Sequence, residues 1–322
     1  MLNRTLSILF TCVSLVFSSS AWAQGYPNRP LRIVVPFGAG APDTVARVVG
    51  QQLSTQLGQP VVIDNRPGAN GIIGNDAVAK SPPDGYTLLI TSVSFAVNPS
   101  MGKKLPYDSQ RDLIPVSNIA DQEAMFLIVN PDVPAKSVKD LVDLSRKGAA
   151  LSFASIGIGN TTHLAGELFV KRAGINAVHV PYKSGGAAVT AVIAGEVQMM
   201  VVPSTQSIEF IKSGKVRALA YTHPTRAALA PEVPTMAEAG VQGAEFSGGW
   251  FGMFAPFGTP DPIIQRLSAE VRLALGNSAV QSRLATLGLR PIGSTSEEFR
   301  RYVNSEINYY ADVVKLTGIK DE

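Results

Sequence analysis

The chain has 322 residues and carries 28 Lys and Arg against 25 Asp and Glu. This near balance gives no electrostatic reason to bind nucleic acid or an anionic membrane surface, and we predict neither as a partner. The chain contains a single cysteine, so an internal disulfide is excluded and the hydrophobic core must hold the fold. A chain of this length is more readily accommodated in two lobes than in one.

The first residues have the three parts of a secretory signal peptide. Arg4 supplies the positive start, an apolar run follows at residues 6–20, and Ala-Trp-Ala at residues 21–23 is a small-residue cleavage site. We predict cleavage after Ala23, export to the periplasm, and a mature chain of 299 residues without cysteine. An uncleaved membrane anchor is the alternative, but the apolar run is too short to span a bilayer comfortably.

Short β-branched runs alternate with longer helical patterns along the rest of the chain. In the first helical pattern, Val45, Val49 and Leu53 recur every four residues and share one face. The alternation predicts βαβ units in an α/β fold with mostly parallel sheets. The predicted strands are 31–36, 60–64, 86–91, 124–130, 151–155, 177–182, 197–203, 216–222 and the aromatic run 248–256. The predicted helices are 43–57, 137–147, 161–173, 186–194, 262–276, 278–287 and 296–316, and 63–71 is predicted to be a surface loop.

Two segments, residues 34–49 and 151–169, share a strand, a small-residue loop and a helix start. Asp43 is predicted to cap the first helix, with a role in a ligand cleft as the alternative, and Asn160 or Thr161 to cap the second. Ligands in open α/β sheets lie beyond the carboxyl ends of the strands, so we expect the two loops on opposite sides of one cleft. Helix N-termini there would bind a carboxylate through backbone N–H groups without cationic side chains.

Three other kinds of site fit the sequence less well. The run Gly38-Ala39-Gly40 supplies two glycines of a dinucleotide-binding loop, but Asp43 occupies the third glycine position and would place negative charge beside a pyrophosphate. No nucleophile elbow of the hydrolase type occurs in the sequence. The three histidines are scattered, so their spacing predicts no metal site. We therefore expect no cofactor and no metal.

Several side chains allow both a structural and a ligand-binding interpretation. His163 and Glu167 are four residues apart on one predicted helix, which favours an ion pair over a ligand role. Trp250 and Phe251 could wall a pocket, but a core position is the favoured interpretation. Tyr182 lies ahead of a flexible loop and could reach a ligand.

Five ordered motifs give nearly the whole mature chain a resemblance to a known family. They are YPNRPLRIVVPFGAGAPDTVAR, GQPVVIDNRPGANGIIGNDAVAKSPPDGYTLLI, INAVHVPYKSGGAAVTAVIAGEVQM, ALAPEVPTMAEAGV and FAPFGTPDPII. Together they resemble the Bug family, the periplasmic solute-binding receptors of the tripartite tricarboxylate transporter type. The resemblance implies two α/β lobes joined by crossing strands, with a small carboxylate held in the cleft by backbone N–H groups, hydroxyls and ordered water.

Carried onto this sequence, the resemblance places ligand contacts on three segments. The first-lobe loop contributes Phe37, Gly38, Ala39, Gly40, Ala41, Pro42, Asp43 and Thr44. The loop after the third predicted strand contributes Ser92, Ser94 and Phe95. The second-lobe loop, with one residue near it, contributes Ser155, Gly157, Asn160, Thr161, Thr162, His163 and Tyr182. One departure is that the run from Gly40 to Asp43 is shorter than the spacing usual in the family.

The resemblance also sets the expected lobes. We predict a signal peptide at 1–23, a discontinuous first lobe at 24–122 plus 249–322, and a second lobe at 123–248. The C-terminal helix is expected to pack on the first lobe through the face that carries Phe299.

The function implied is that of a receptor and not of an enzyme. We expect a monomer that passes its carboxylate to the membrane permease subunits of a tripartite tricarboxylate-type transporter, or to a sensor. The alternative is an exported enzyme with the same fold, a hydrolase or lyase that acts on a carboxylated small molecule. An enzyme of that kind would carry a nucleophile and a base within hydrogen-bond reach in the cleft.

Overall fold

A computed structural model describes residues 25–102, 104–122 and 124–319. The signal peptide predicted at residues 1–23 lies outside the described residues. Within them the chain forms two β-sheets, and helices pack against each sheet. Over the same residues, no helix combines the length and the apolar character needed to cross a membrane.

The first sheet contains six strands and, with its helices, forms the first lobe. The strands are β1 (Leu31–Val35), β2 (Val61–Asn65), β3 (Thr87–Ser92), β4 (Leu113–Gln122), β10 (Trp250–Pro256) and β11 (Leu289–Pro291). Their order across the sheet is β11-β4-β10-β3-β1-β2. β1 runs parallel to β2 and β3, whereas β10 runs antiparallel to β3 and β4, and β11 runs antiparallel to β4.

The second sheet contains five strands and, with its helices, forms the second lobe. The strands are β5 (Met125–Val129), β6 (Leu151–Ser155), β7 (Ala177–Pro181), β8 (Met199–Pro203) and β9 (Arg217–Tyr221). Their order is β7-β6-β8-β5-β9. β6 runs parallel to β7 and β8, whereas β5 runs antiparallel to β8 and β9.

The predicted two-lobed α/β architecture is confirmed. Both sheets are mixed but mostly parallel in strand direction: four of the six strands of the first sheet and four of the five strands of the second run the same way, and β5, β10 and β11 run against them. The parallel pairs come from βαβ units, in which the helix returns the chain to the same end of the sheet. The antiparallel pairs involve β4, β5 and β10, through which the chain passes from one sheet to the other. The chain leaves the first sheet at the end of β4, and it enters a sheet at the start of β5 and again at the start of β10. Each of these strand ends faces the other sheet, and this sets the direction of the strand.

All seven predicted helices are present, and each end lies within two residues of its predicted position. Three further helices were not predicted. Each has fewer than three turns, and a helix this short shows little hydrophobic periodicity in the sequence. They are α2 (Ile72–Ala79), α3 (Ser94–Val97) and α7 (Ser204–Lys212). The others are α1 (Ala41–Leu57), α4 (Val138–Arg146), α5 (Thr161–Ala173), α6 (Gly185–Ile193), α8 (Asp261–Leu275), α9 (Ser278–Ala285) and α10 (Ser296–Thr317).

The chain crosses between the sheets twice. It leaves the first sheet after Gln122, the end of β4, and enters the second at Met125, the start of β5. It returns after β9 and re-enters the first sheet at Trp250 in β10. The exact lobe boundaries, 24–122 plus 249–322 and 123–248, stay a prediction.

The C-terminal helix joins the two lobes. α10 packs against β4 and α3 of the first lobe and also against α5 of the second lobe. The Phe299 ring meets the edge of Trp250 at a centroid distance of 5.3 Å. Further along the helix, Tyr310 meets Phe246 at 5.8 Å. Expected on the first lobe alone, this helix lies in a hydrophobic core that both lobes share.

Candidate ligand-binding cleft

A cavity of about 280 Å³ lies between the lobes, where the two predicted loops and both crossings meet. Part of its lining was predicted from the sequence: Phe37, Gly38, Ala39, Gly40, Pro42, Ser92, Ser94, Asn160 and Thr161. The rest was not named as a ligand contact, although Val93 and Gly159 lie within the predicted loops: Asn70, Val93, Val97, Gln122, Gly159, Gly248, Gly249, Trp250 and Phe251. None of these described lining residues carries a formal charge.

The first-lobe wall is the N-terminus of α1. Gly40 is the N-cap residue and no side chain caps the helix. The Thr44 N–H donates to the Gly40 carbonyl at 3.0 Å, which closes the first turn. The N–H groups of Ala41 and Asp43 precede that turn and have no acceptor within the helix. Free N–H groups at a helix N-terminus project along the helix axis. Gly40 and Pro42 of this terminus line the cavity, so the positive end of the helix dipole favours an anion there.

The predicted capping role of Asp43 is wrong. Its carboxylate lies in the first turn and accepts hydrogen bonds from Arg47 Nε at 2.9 Å and from Asn65 Nδ2 at 2.8 Å, away from the cavity lining. The Arg47 hydrogen bond lowers the pKa of Asp43, so the carboxyl stays ionised. The helix begins two residues earlier than predicted because Pro42 is accommodated in the first turn, where it has no hydrogen bond to lose. Like Asp43, Ala41 and Thr44 do not line the cavity.

A second part of the first-lobe wall follows β3. The hydroxyls of Ser92 and Ser94 lie 3.2 Å apart and both residues line the cavity. Phe95, which was also predicted as a contact, is fully buried and packs on Phe254 at 4.6 Å. Its ring belongs to the core and holds the serine loop from behind.

Asn70 is a cavity residue that the sequence did not reveal. It has a left-handed backbone, with φ of 50°, in the segment predicted to be a surface loop. Two hydrogen bonds to Asn98 hold it: the Asn70 amide donates to Asn98 Oδ1 at 3.0 Å, and the Asn98 amide donates to the Asn70 carbonyl at 3.1 Å. The Asn-Gly pair was a signal for the turn but not for its position beside the cavity.

The second-lobe wall is the N-terminus of α5. Asn160 is its N-cap, as predicted, and its Oδ1 accepts from the Thr162 N–H at 3.1 Å. The Thr161 hydroxyl donates to the same oxygen at 3.3 Å. Gly159, Asn160 and Thr161 line the cavity opposite the α1 terminus. Two helix N-termini therefore face one space from different lobes.

The remaining predicted second-lobe residues lie behind this wall and outside the cavity lining. The Thr162 hydroxyl accepts from the Ile156 N–H at 2.9 Å, and His163 Nδ1 accepts from the Gly159 N–H at 3.1 Å. Gly157 donates its N–H to Ser155 Oγ at 3.1 Å. These hydrogen bonds fix the conformation of the second-lobe loop, and part of this loop lines the cavity.

Two further predictions concern Tyr182 and the His163–Glu167 pair. Tyr182 is half-buried, packs at the edge of the second-lobe core and does not line the cavity. His163 Nε2 lies 3.6 Å from Glu167 Oε1, as the four-residue spacing indicated.

The floor of the cavity is built from the crossings. Trp250 is 1% exposed and its indole N–H donates to Glu306 Oε2 at 3.2 Å. Gly249, just before it, has φ of 109°, a conformation that only glycine adopts without strain. The interpretation of Trp250 and Phe251 as core residues was incomplete, because the same strand is both core and floor. Gln122 and Gly248 had no local signal, since their place depends on how the lobes meet.

Among the described lining residues, no nucleophile lies beside a base. Ser155 Oγ lies 2.6 Å from His179 Nε2, but Ser155 is fully buried and does not line the cavity. Burial, with a contribution from the neighbouring His163, lowers the pKa of His179 to about 4. Over the described residues, no group of three or more His, Cys, Asp or Glu is placed to hold a metal ion.

A cavity between two α/β lobes, with crossing strands as its floor and helix N-termini on facing walls, is the architecture of the periplasmic binding proteins. The family model described as "Tripartite tricarboxylate transporter family receptor" (TctC) matches residues 45–319. The chain belongs to this family, and its resemblance to the Bug receptors is confirmed.

Related proteins match along almost the whole chain. BugT of Bordetella pertussis is 39% identical over 303 residues, which cover 92% of this chain and 92% of BugT. The structure of R. palustris Rpa4515 with adipate has a TM-score of 0.79 and 34% identity, over 92% of this chain and 99% of that one. MatC from Rhodopseudomonas palustris with bound malate has a TM-score of 0.75 and 31% identity, over 90% of this chain and 100% of that one.

Proposed function

We propose that this protein is an exported receptor that captures a small carboxylate in the cleft and delivers it to a tripartite tricarboxylate-type transporter. The observation that carries the proposal is the pair of helix N-termini, from α1 and α5, on opposite walls of one cavity. Each terminus presents about half a positive charge and open N–H groups. A cavity lined in this way favours anions without a fixed cationic side chain, which suits reversible capture and release.

The shape of the cavity favours a short dicarboxylate. Two anion-binding ends on facing walls match two carboxylates at the ends of one ligand, and the floor between them is apolar at Trp250, Phe251 and Val97. The hydroxyls of Ser92 and Ser94 would serve a hydroxyl or carboxylate oxygen near the first-lobe end. Adipate and malate, which appear with two related structures, fall within this chemical class.

The location and the partner are part of the same proposal. The predicted signal peptide and the family of the chain support a periplasmic receptor, cleaved after Ala23 and active as a monomer. The family description supports delivery to the permease subunits of a tripartite transporter. We infer no catalysis, because the described cavity lining supplies no nucleophile with a neighbouring base.

Thermal-shift screening of the full mature chain tests the ligand class. The panel is malate, succinate, glutarate, adipate and benzoate, with glucose and magnesium chloride as matched non-carboxylate additives. A ligand at about one hundred times its Kd should add about 2.7 kcal/mol to the free energy of unfolding, which raises the melting temperature visibly. Calorimetric titration then gives the affinity of the best acid. If only glucose or the metal salt raised the melting temperature, the carboxylate proposal would fail.

A further inference from the structure

The second-lobe wall depends on one buried imidazole. His163 lies in the first turn of α5, is 5% exposed, and its Nδ1 accepts from the Gly159 N–H at 3.1 Å. A ring nitrogen that accepts a hydrogen bond carries no proton, so this imidazole is neutral with its proton at Nε2. The arrangement resembles a capping box in which the third helical residue reaches back to the chain before the helix.

The hydrogen bond acts on residues that face the cavity. Gly159 has φ of 71° and stands directly before the cap residue Asn160. The loop can keep this turn while the imidazole holds the Gly159 N–H and Asn160 Oδ1 holds the Thr162 N–H. Without the hydrogen bond from the Gly159 N–H to His163, only the adjacent residues of the chain hold Gly159 in place. His163 therefore sets the position of the wall without touching the cavity itself.

Two ionisable side chains lie beside His163. The His179 ring from β7 stacks on it at a centroid distance of 3.8 Å. Glu167, on the same helix, lies 3.6 Å from Nε2. His179 itself stays neutral, since its pKa is lowered to about 4.

The other elements packed against α5 bring no further charge to this imidazole. β8 carries no ionisable side chain. On β6, Ser155 bonds to His179. On α10, Glu306 accepts from Trp250, and the Tyr309 hydroxyl donates to the Glu245 carbonyl. Among the described residues, Glu167 and His179 are thus the ionisable side chains that contact His163.

We infer that His163 is a positioning residue whose neutral form holds the second-lobe wall of the cleft, so that its protonation weakens ligand capture. A proton on Nδ1 would place two N–H donors face to face, and the Gly159 segment would have to move. Capture should then weaken at low pH. The inference rests on the proposed function only where it speaks of capture, because the link between His163 and Gly159 exists in the ligand-free protein.

The first test uses the proton as the probe and needs no carboxylate. In ligand-free protein, the amide resonance of Gly159 is followed by NMR from about pH 8 to about pH 5, together with the ring signals of His163. The expected result is one shared midpoint. His163→Asn places an amide oxygen close to the position of Nδ1 and cannot titrate, so the Gly159 resonance should become independent of pH. His223→Asn is the matched control, because His223 is exposed and lies outside the cleft lining.

The second test measures capture with adipate and malate by calorimetry at about pH 8 and about pH 6. Losing one buried hydrogen bond should weaken wild-type binding at least about fivefold at the lower pH. His163→Asn should bind as the wild type does at the higher pH and lose the pH dependence beyond the ligand's own titration. His163→Leu should bind weakly at both pH values.

The outcomes separate this inference from the proposed function. A Gly159 resonance that does not titrate with His163 in the wild type would overturn the inference, even if no variant folds. A His163→Asn protein that keeps the full pH dependence would overturn it too. If neither acid binds but Gly159 and His163 share a midpoint, the positioning role stands and the choice of ligand is at fault.

Discussion

The N-termini of α1 and α5 face the same cavity but are completed in different ways. At α1 the first turn has no side-chain cap, and the carboxylate within that turn, Asp43, is turned towards Arg47. At α5 the first turn is capped by Asn160 and tied from behind by His163. The open terminus keeps its N–H groups for an anion, whereas the capped one gives up part of its donors for a fixed shape. One wall should therefore supply affinity and the other geometry.

Removing the floor that both walls share should have the largest effect. Trp250→Ala deletes a side chain that is 1% exposed and packs on Phe299. Truncations of this kind cost about 3–5 kcal/mol of unfolding free energy, which denaturant titration measures. Trp250→Phe keeps a ring in the core and should cost clearly less. A loss below about 1 kcal/mol in the alanine variant would mean that the strand is not shared core.

The carboxyl beneath the floor should make stability depend on pH. Burial raises the pKa of Glu306 from 4.5 to about 7. A folded pKa above the unfolded one means that this stability is fully present below about pH 4.5 and is lost as the pH rises through about 7. Glu306→Gln stays neutral and should raise the unfolding free energy by about 1–3 kcal/mol at about pH 8, with little change at about pH 4.

Denaturant titration at both pH values decides this prediction. The Gln side chain still offers an oxygen to the Trp250 indole, so the floor should keep its hydrogen bond. An equal change at both pH values would show that the effect comes from packing and not from the charge.

Removing the cap of α5 should give a middle-sized effect that reaches the ligand. Asn160→Ala takes the acceptor from the Thr162 N–H and should cost about 1 kcal/mol of stability. Asn277→Ala is the matched control, because Asn277 caps α9 by accepting from Ala279 N–H at 2.9 Å and lies away from the cavity. Both variants should lose similar stability, but only Asn160→Ala should weaken carboxylate binding in calorimetry. Equal affinities would place the capped wall outside the site.

Neutralising the carboxylate near α1 should have the smallest effect on stability. Asp43→Asn removes a four-residue ion pair with Arg47 and should cost about 0.2–0.5 kcal/mol. Since Arg47 lowers the pKa of Asp43, this contribution is present above the ordinary pKa of the carboxyl and is lost as the pH falls through the lowered value.

The affinity of the Asp43→Asn variant distinguishes two possible roles of Asp43, which are an ion pair with Arg47 alone and a direct contact with the ligand. Affinity for a dicarboxylate should hold or improve, because a nearby negative charge is gone. Asp143→Asn, which breaks the similar Lys139 pair on α4, should change stability alike and leave affinity unchanged. A collapse of affinity in Asp43→Asn with stability intact would instead indicate a ligand that offers a hydrogen-bond donor to Asp43.

The same two walls show what could be predicted from the sequence. The start of α5 was predicted correctly because Asn160 is a strong cap that follows two glycines. The start of α1 was predicted two residues too late. Asp43 resembled an N-cap, whereas Pro42 before it is compatible with the first turn of a helix and belongs to α1. β4 was not predicted, since Pro115 and the polar residues from Ser117 interrupt its alternation while it crosses the sheet.

Other parts of the site depend on contacts distant in sequence. Asn70 lines the cavity because Asn98 holds it there, and no local pattern links the two. Gln122 and Gly249 become floor residues only when both crossings lie side by side. The support that His163 gives to Gly159 was within reach of the sequence, since the two are four residues apart. The family resemblance instead implied a ligand contact for His163.

The order of strands in the first sheet has a consequence for how the chain folds. β10 lies between β3 and β4, yet it starts at Trp250, more than one hundred residues after β4 ends at Gln122. Until that residue is available, β3 has one unpaired edge and β4 has two, because its other neighbour, β11, comes later still. By contrast, β5 to β9 are contiguous in sequence and can form the second sheet early. The first lobe is then completed only when nearly all of the chain is present. A chain shortened before β10 should keep the second sheet and expose β3 and β4 to wrong partners.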